Sequence, residues 1–282
     1  MNFHERLEAF SLRHADTAMG RIAYRCAGDT ACEHPPILLL HGIGSASANW
    51  ALQLHGLPQR RVLAWDAPGY GESQALSQEK PSARDYAQRL WDWLDALRVK
   101  GPVTLVGHSL GALMAAGAAR IAPERVSALV LLAPAQGYAR RDTATREGKL
   151  AERLARLRQL GPQGLAESRA GAMLSPAAPP AMLAFITQVM GGINAAGYTQ
   201  AAQMLAHGDL LGDLQALKLP LLVASGRADS ITPATGCQTL ADAVGAPYVS
   251  LGAVGHACAL EAADVVNALL ARQSAGKPAG AA

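Results

Sequence analysis

Val103-Thr-Leu-Val-Gly107-His108-Ser109-Leu110-Gly111 is the stretch on which the reading of this chain turns. Four apolar or β-branched residues predict a short buried strand, and Ala112-Leu-Met-Ala-Ala116 is a run of good helix formers. The Gly-x-Ser-x-Gly between them predicts a tight strand-to-helix turn with Ser109 at its tip. Its hydroxyl would project, with the next helix's N-terminal N–H groups behind it. Glycine is needed at both ends because side chains there would collide with the neighbouring strand and helix.

Three further strand ends carry chemistry. Leu221-Leu-Val-Ala-Ser-Gly226-Arg-Ala-Asp229 reads as a buried strand running into a loop with a carboxylate. Tyr248-Val-Ser-Leu251 is followed by Gly255-His256, an imidazole just past a strand. Upstream, Pro36-Ile-Leu-Leu-Leu40 runs into the turn His41-Gly42-Ile43-Gly44, and Asp66-Ala-Pro-Gly-Tyr-Gly-Glu-Ser73 is a second Gly-rich turn.

On these motifs the chain resembles the α/β-hydrolase superfamily over roughly residues 20 to 271. Within it the chain is similar to small lid-bearing bacterial enzymes: 3-oxoadipate enol-lactonase-like hydrolases, meta-cleavage-product hydrolases and cofactor-free esterases or haloperoxidases. The turn at Asp66–Ser73 matches that group's Asp-x-x-Gly-x-Gly-x-Ser. The resemblance implies an α/β fold with a mostly parallel central sheet flanked by helices, and a helical lid inserted after the sixth strand. It also implies the chain order nucleophile, acid, base, met here by Ser109, Asp229 and His256.

The chemistry needs these residue types. A serine hydroxyl is a weak nucleophile until a base takes its proton, the role expected of His256. Asp229 would hold the imidazole in the right tautomer and stabilise the imidazolium. The oxyanion needs fixed donors: the backbone N–H of Leu110, and that of Ile43 as the resemblance implies. Removing one such donor costs about 10²–10³ in rate. The strand before residue 135 ends in Leu131-Leu-Ala-Pro-Ala, without a carboxylate, so Asp229 stands nearly alone as the acid. Asp66 is expected to fix its turn, His41 and His108 to hydrogen-bond locally, and Cys258 to be a small core residue.

Composition narrows the class. Half of the 282 residues are hydrophobic, enough for a large core, and the net charge is only +3. No cluster of basic and aromatic residues suggests a nucleic-acid partner. The first residues, Met1-Asn-Phe-His-Glu-Arg-Leu-Glu8, lack the apolar core of a signal peptide, and no apolar run is long enough for a membrane span, so a cytoplasmic protein is expected. Cys26, Cys32, Cys237 and Cys258 show no metal spacing and are expected as free thiols. There is no phosphate loop or dinucleotide fingerprint. Neither a metal nor a cofactor is expected.

Six apolar segments fit core strands, at about 36–41, 61–66, 102–107, 126–132, 219–225 and 247–251, with a hairpin at 10–26. Ser82 is a plausible N-cap for a helix burying Tyr86, Leu90, Trp93, Leu94 and Leu97, and further helices are expected at 110–121 and 260–271. The core domain would comprise 1–134 and 208–272, the lid 135–207, and a flexible tail 273–282. In the lid, Leu150, Leu154, Leu157 and Leu160 form a helical stripe, while Pro176, Pro179, Pro180 and Gly191-Gly192 interrupt the chain. Seven arginines and a lysine against four acids lie between Arg140 and Arg169. Most are expected on a solvated face. Arg140, Arg141 and Arg146 are the candidates for binding a substrate carboxylate bidentately.

The leading expectation is a serine hydrolase acting on an ester or lactone of a small carboxylic acid. C–C hydrolysis of a vinylogous keto acid is the second; the tryptophan that meta-cleavage-product hydrolases commonly carry after the catalytic histidine is replaced here by Ala257. A small-molecule receptor on the same fold is the third. An aspartate in place of Ser109 would have pointed to a dehalogenase or epoxide hydrolase.

Overall fold

A computed structural model describes residues 3–29 and 32–274. Among them an eight-stranded sheet runs in the order β1-β2-β4-β3-β5-β6-β7-β8. The strands are β1 (Arg13–Ala15), β2 (Ile22–Ala27), β3 (Ile37–Leu40), β4 (Val62–Trp65), β5 (Val103–His108), β6 (Val126–Leu132), β7 (Leu221–Ser225) and β8 (Tyr248–Ser250). β3 to β8 are mutually parallel, and the β1–β2 hairpin pairs antiparallel onto the β4 edge. The expected core strands and hairpin are therefore present, with ends shifted by up to three residues.

The continuous apolar runs follow from helices covering both faces. Side chains alternate across a strand, so Leu38 and Leu40 face one layer while Ile37 and Leu39 face the other, and all four are fully buried. Each such side chain contributes roughly 1.5–3 kcal/mol by leaving water.

The helices before the nucleophile turn are α1 (Phe3–Glu8), α2 (Ala51–Gly56) and α3 (Ala83–Ala96). α3 begins as expected at Ser82, whose N–H donates to Asp85 Oδ2 at 2.7 Å. Its Tyr86, Leu90, Trp93 and Leu94 are fully buried. α4 (Gly111–Ile121) follows β5 directly.

Between β6 and β7 lie α5 (Thr143–Arg169), α6 (Pro180–Gly191), α7 (Ala195–His207) and α8 (Leu210–Gln215). α5 is bent: Gly161 adopts φ +63°, a left-handed conformation, and Pro162 restarts the helix where its missing N–H costs nothing. This bend limits the leucine stripe. Leu150 and Leu157 are buried, but Leu160, just before the break, is 40% exposed. Pro180 opens α6 and Gly191-Gly192 closes it.

The chain ends in α9 (Ala234–Ala243), α10 (Cys258–Glu261) and α11 (Ala263–Gln273). The tail expected from 273 begins inside α11, and residues 275–282 lie outside the described residues. Among the described residues no helix is long and apolar enough to cross a membrane.

Candidate active site

Parallel strands bring their C-terminal ends to one edge of the sheet. The loops after β3, β5, β7 and β8 therefore meet there, carrying Ile43, Ser109, Asp229 and His256. Ile43, Ser109 and His256 line one cavity of about 510 Å³, and Asp229 lies behind His256.

The serine turn is as tight as its motif predicts. Ser109 sits at φ +53°, a region that costs a non-glycine residue roughly 1–2 kcal/mol. It is held there by bonds from its N–H to the Leu132 carbonyl, and to its own carbonyl from the Ala112 and Ala135 N–H groups, each 3.0 Å. A Cβ on Gly107 would lie 2.6 Å from Ala112 Cα, and one on Gly111 would lie 2.1 Å from the Leu40 carbonyl oxygen. Only glycine lets strand, turn and helix approach this closely.

Asp229 and His256 form a buried pair, with Nδ1 2.8 Å from Oδ2 and exposures of 5% and 2%. Oδ1 accepts from the N–H groups of Ile231 at 2.8 Å and Thr232 at 2.9 Å. Burial by itself would raise the Asp229 pKa. The hydrogen bond and charge of His256, with the contacts from Thr232, outweigh it and hold the carboxyl below the usual range. Thr232 Oγ1 is also 3.1 Å from His256 Nδ1, 2.8 Å from Asp229 Oδ2 and 3.0 Å from the Ala133 carbonyl oxygen. It was not singled out in the sequence, where Asp-Ser-Ile-Thr reads as an ordinary turn.

The oxyanion candidates have a matching environment. Among the described residues, neither the Ile43 nor the Leu110 N–H has a hydrogen-bond partner. His41 makes the expected local contact and a distant one besides, while His108 makes only a distant one. His41 Nε2 accepts from the Ala67 N–H at 2.9 Å while its other ring nitrogen reaches the Gly42 carbonyl at 2.8 Å, pinning the Ile43 loop to the β4 loop. His108 Nε2 donates to the His256 carbonyl at 2.8 Å. Burial and the neighbouring His256 push the His108 pKa down to about 3, so it serves as a neutral prop. Asp66 holds its turn as expected, its carbonyl accepting from Ser73 Oγ at 2.6 Å and its Oδ1 from the Ser47 N–H at 2.7 Å. Cys258 is fully buried in the core, and Cys237 lines the cavity.

The His256 loop is also tied to the segment after α5. Glu261 accepts from the N–H groups of Gly255 at 2.9 Å and Ser175 at 3.1 Å, and the Ala257 N–H donates to the Met173 carbonyl at 2.7 Å. The helical insertion covers one side of the cavity, contributing Arg153, Leu165, Arg169, Met190, Tyr198 and Leu205 to its wall. Of the arginines singled out in the sequence, Arg140 and Arg141 line this cavity. Arg140 is paired with Asp209 at 2.6 Å. Arg146 is not among the lining residues and pairs with Glu147 at 3.2 Å.

Comparison with known proteins agrees with this fold. A family profile described as alpha/beta hydrolase fold matches residues 35–263. The chain is 30% identical over 242 residues to the dihydrolipoyllysine-residue acetyltransferase component of the acetoin cleaving system of Pseudomonas putida, a match spanning 82% of this chain and 61% of that protein. It is 27% identical over 211 residues to the (E)-2-((N-methylformamido)methylene)succinate hydrolase of Acinetobacter baylyi, spanning 70% of this chain and 73% of that one. The solved enol-lactonase of Burkholderia xenovorans LB400 shares the fold, with a TM-score of 0.82 over 93% of this chain and 99% of that one at 24% identity. Serine turn, parallel sheet and family profile converge, and the chain belongs to the α/β-hydrolase-fold family.

Proposed function

We propose that this α/β-hydrolase cleaves an ester or lactone of a small carboxylic acid through Ser109, His256 and Asp229. The observation that carries the reading is the buried 2.8 Å Asp229–His256 pair, whose imidazole lines the same cavity as the strained Ser109. Ser109 Oγ attacks the carbonyl carbon as His256 Nε2 takes its proton. The Ile43 and Leu110 amides, without hydrogen-bond partners among the described residues, receive the developing oxyanion. The imidazolium, stabilised by Asp229, then protonates the departing alkoxide, leaving an acyl group on Ser109. Water, deprotonated by the same histidine, releases the acid and restores the serine.

A cavity of about 510 Å³, walled by the helical insertion, suits a small acyl group better than a long lipid chain. In this reading the insertion is a lid, and its inner face selects the substrate. The test is turnover of short p-nitrophenyl esters together with labelling by a fluorophosphonate. Wild type is expected to turn over and be labelled, and Ser109→Ala to do neither. Labelling or turnover that survives in Ser109→Ala would overturn the assignment.

A further inference from the structure

Four arginines line the cavity, Arg140, Arg141, Arg153 and Arg169, against a single carboxylate, Asp209. Asp209 is already taken by Arg140. Arg153 reaches only a hydroxyl, that of Tyr198 at 3.4 Å, and the side chains of Arg141 and Arg169 have no hydrogen bond or ion pair among the described residues. The outer face of α5 is arranged differently. There Glu152 is bridged by Lys149 at 3.7 Å and Arg156 at 3.1 Å, so acids stand beside bases where the helix meets water. Beyond the Arg140–Asp209 pair, the guanidinium charge of the cavity has no carboxylate partner among the described residues, and Arg153 and Arg169 are both half-buried.

Tyr198 sharpens the point. It is 4% exposed, it lines the cavity, and its hydroxyl accepts from Arg153 without an acceptor for its own proton among the described residues. A buried hydroxyl and a half-buried guanidinium that line the same cavity and still have protons to donate form half of a binding site; the missing half is an acceptor. A carboxylate fits. It offers several lone pairs and the opposite charge, and it matches the fork of a guanidinium.

We propose that the substrate carries a second carboxylate, one that does not react, and that Arg153, Tyr198 and Arg169 bind it. The class is then a monoester or lactone of a dicarboxylic acid. This rests on the hydrolase reading above and deepens it: the acyl carbonyl sits at Ser109 while the free acid end lies against α5 and α7. Arg141, which also lines the cavity, adds to the field that draws an anion in.

The test compares p-nitrophenyl hemisuccinate with the neutral p-nitrophenyl valerate and reads the ratio of their kcat/KM values. In wild type the anionic ester is expected to be favoured. In Arg153→Gln and Arg169→Gln, which keep length and polarity without charge, the ratio should fall about 10- to 100-fold. Arg156→Gln, on the outer face, should leave it within twofold. A second readout avoids turnover: calorimetric titration of monomethyl succinate into Ser109→Ala chain, with binding expected there and lost when Arg153→Gln is added. Wild type without an anionic preference, or ratios unchanged in both cavity variants, would overturn the subsite. Absent turnover of both esters and absent fluorophosphonate labelling would overturn the hydrolase reading, while the titration would still decide whether the arginines bind a carboxylate.

Discussion

Asp229→Asn changes one atom and should disable the base. Asp229 Oδ1 accepts two backbone N–H groups, from Ile231 and Thr232. Those groups can only donate, so an asparagine must leave its carbonyl oxygen there and turn its NH₂ toward His256 Nδ1. That nitrogen must then accept, which moves the ring proton to Nε2 and removes the lone pair that would take the Ser109 proton. The loss should be about 10⁴ in kcat, or roughly 5.5 kcal/mol of transition-state stabilisation. The amides of Ile43 and Leu110 remain, so residual turnover above the uncatalysed rate should persist. The assay is steady-state release of p-nitrophenolate, with the Nδ1–H resonance followed by proton NMR; the resonance should vanish in the variant. A kcat within tenfold of wild type, in a protein that folds normally, would refute the tautomer argument. Stability supplies a companion measurement. Because the folded Asp229 carboxyl titrates below its ordinary value, it stabilises the fold above roughly pH 4 and loses that effect as pH falls through its lowered pKa. The difference in urea midpoint between wild type and Asp229→Asn should therefore shrink from pH 7 toward pH 3.

Thr232→Val keeps the shape and deletes the hydroxyl that touches Asp229, His256 and the Ala133 carbonyl, so kcat should fall about tenfold, equivalent to about 1.4 kcal/mol; an unchanged kcat would mean that the hydroxyl is only a spacer. Ser109→Gly should lose turnover yet gain about 1 kcal/mol in stability by relieving the φ of +53°, and a melting temperature below that of wild type would show that no strain is stored there.

Much of this protein could be read locally. Buried parallel strands are apolar on both faces, so β3, β5, β6 and β7 announce themselves as runs of Val, Leu and Ile. The serine turn is legible because a backbone approach as close as that of Gly111 to Leu40 admits one residue type. Asp229 and His256 were readable from their places just past strands. Thr232 was not, since no motif or strand end marks it and its contact with His256 exists only in the folded chain. The work of His41 and His108 was hidden for the same reason, as the partners Ala67 and His256 are adjacent only in the folded chain.

The arginines of the helical insertion mark the limit most clearly. Composition revealed an excess of positive charge between residues 140 and 169, but not which side chains turn inward. Arg146 and Arg153 are seven residues apart, within about 20° on an α-helix, yet Arg146 lies about 10 Å farther along the axis and beyond the cavity. Arg153 and Arg169, sixteen residues apart, would stand about 160° from each other on an unbroken helix. The bend at Gly161 resets that phase, and both reach the same cavity. Strand and turn are properties of neighbouring residues, and the chain order Ser109, Asp229, His256 is a property of the sequence itself, so all three could be read without the fold. The lining of the cavity depends on how one bent helix lies against a distant sheet edge, and only the tertiary structure decided it.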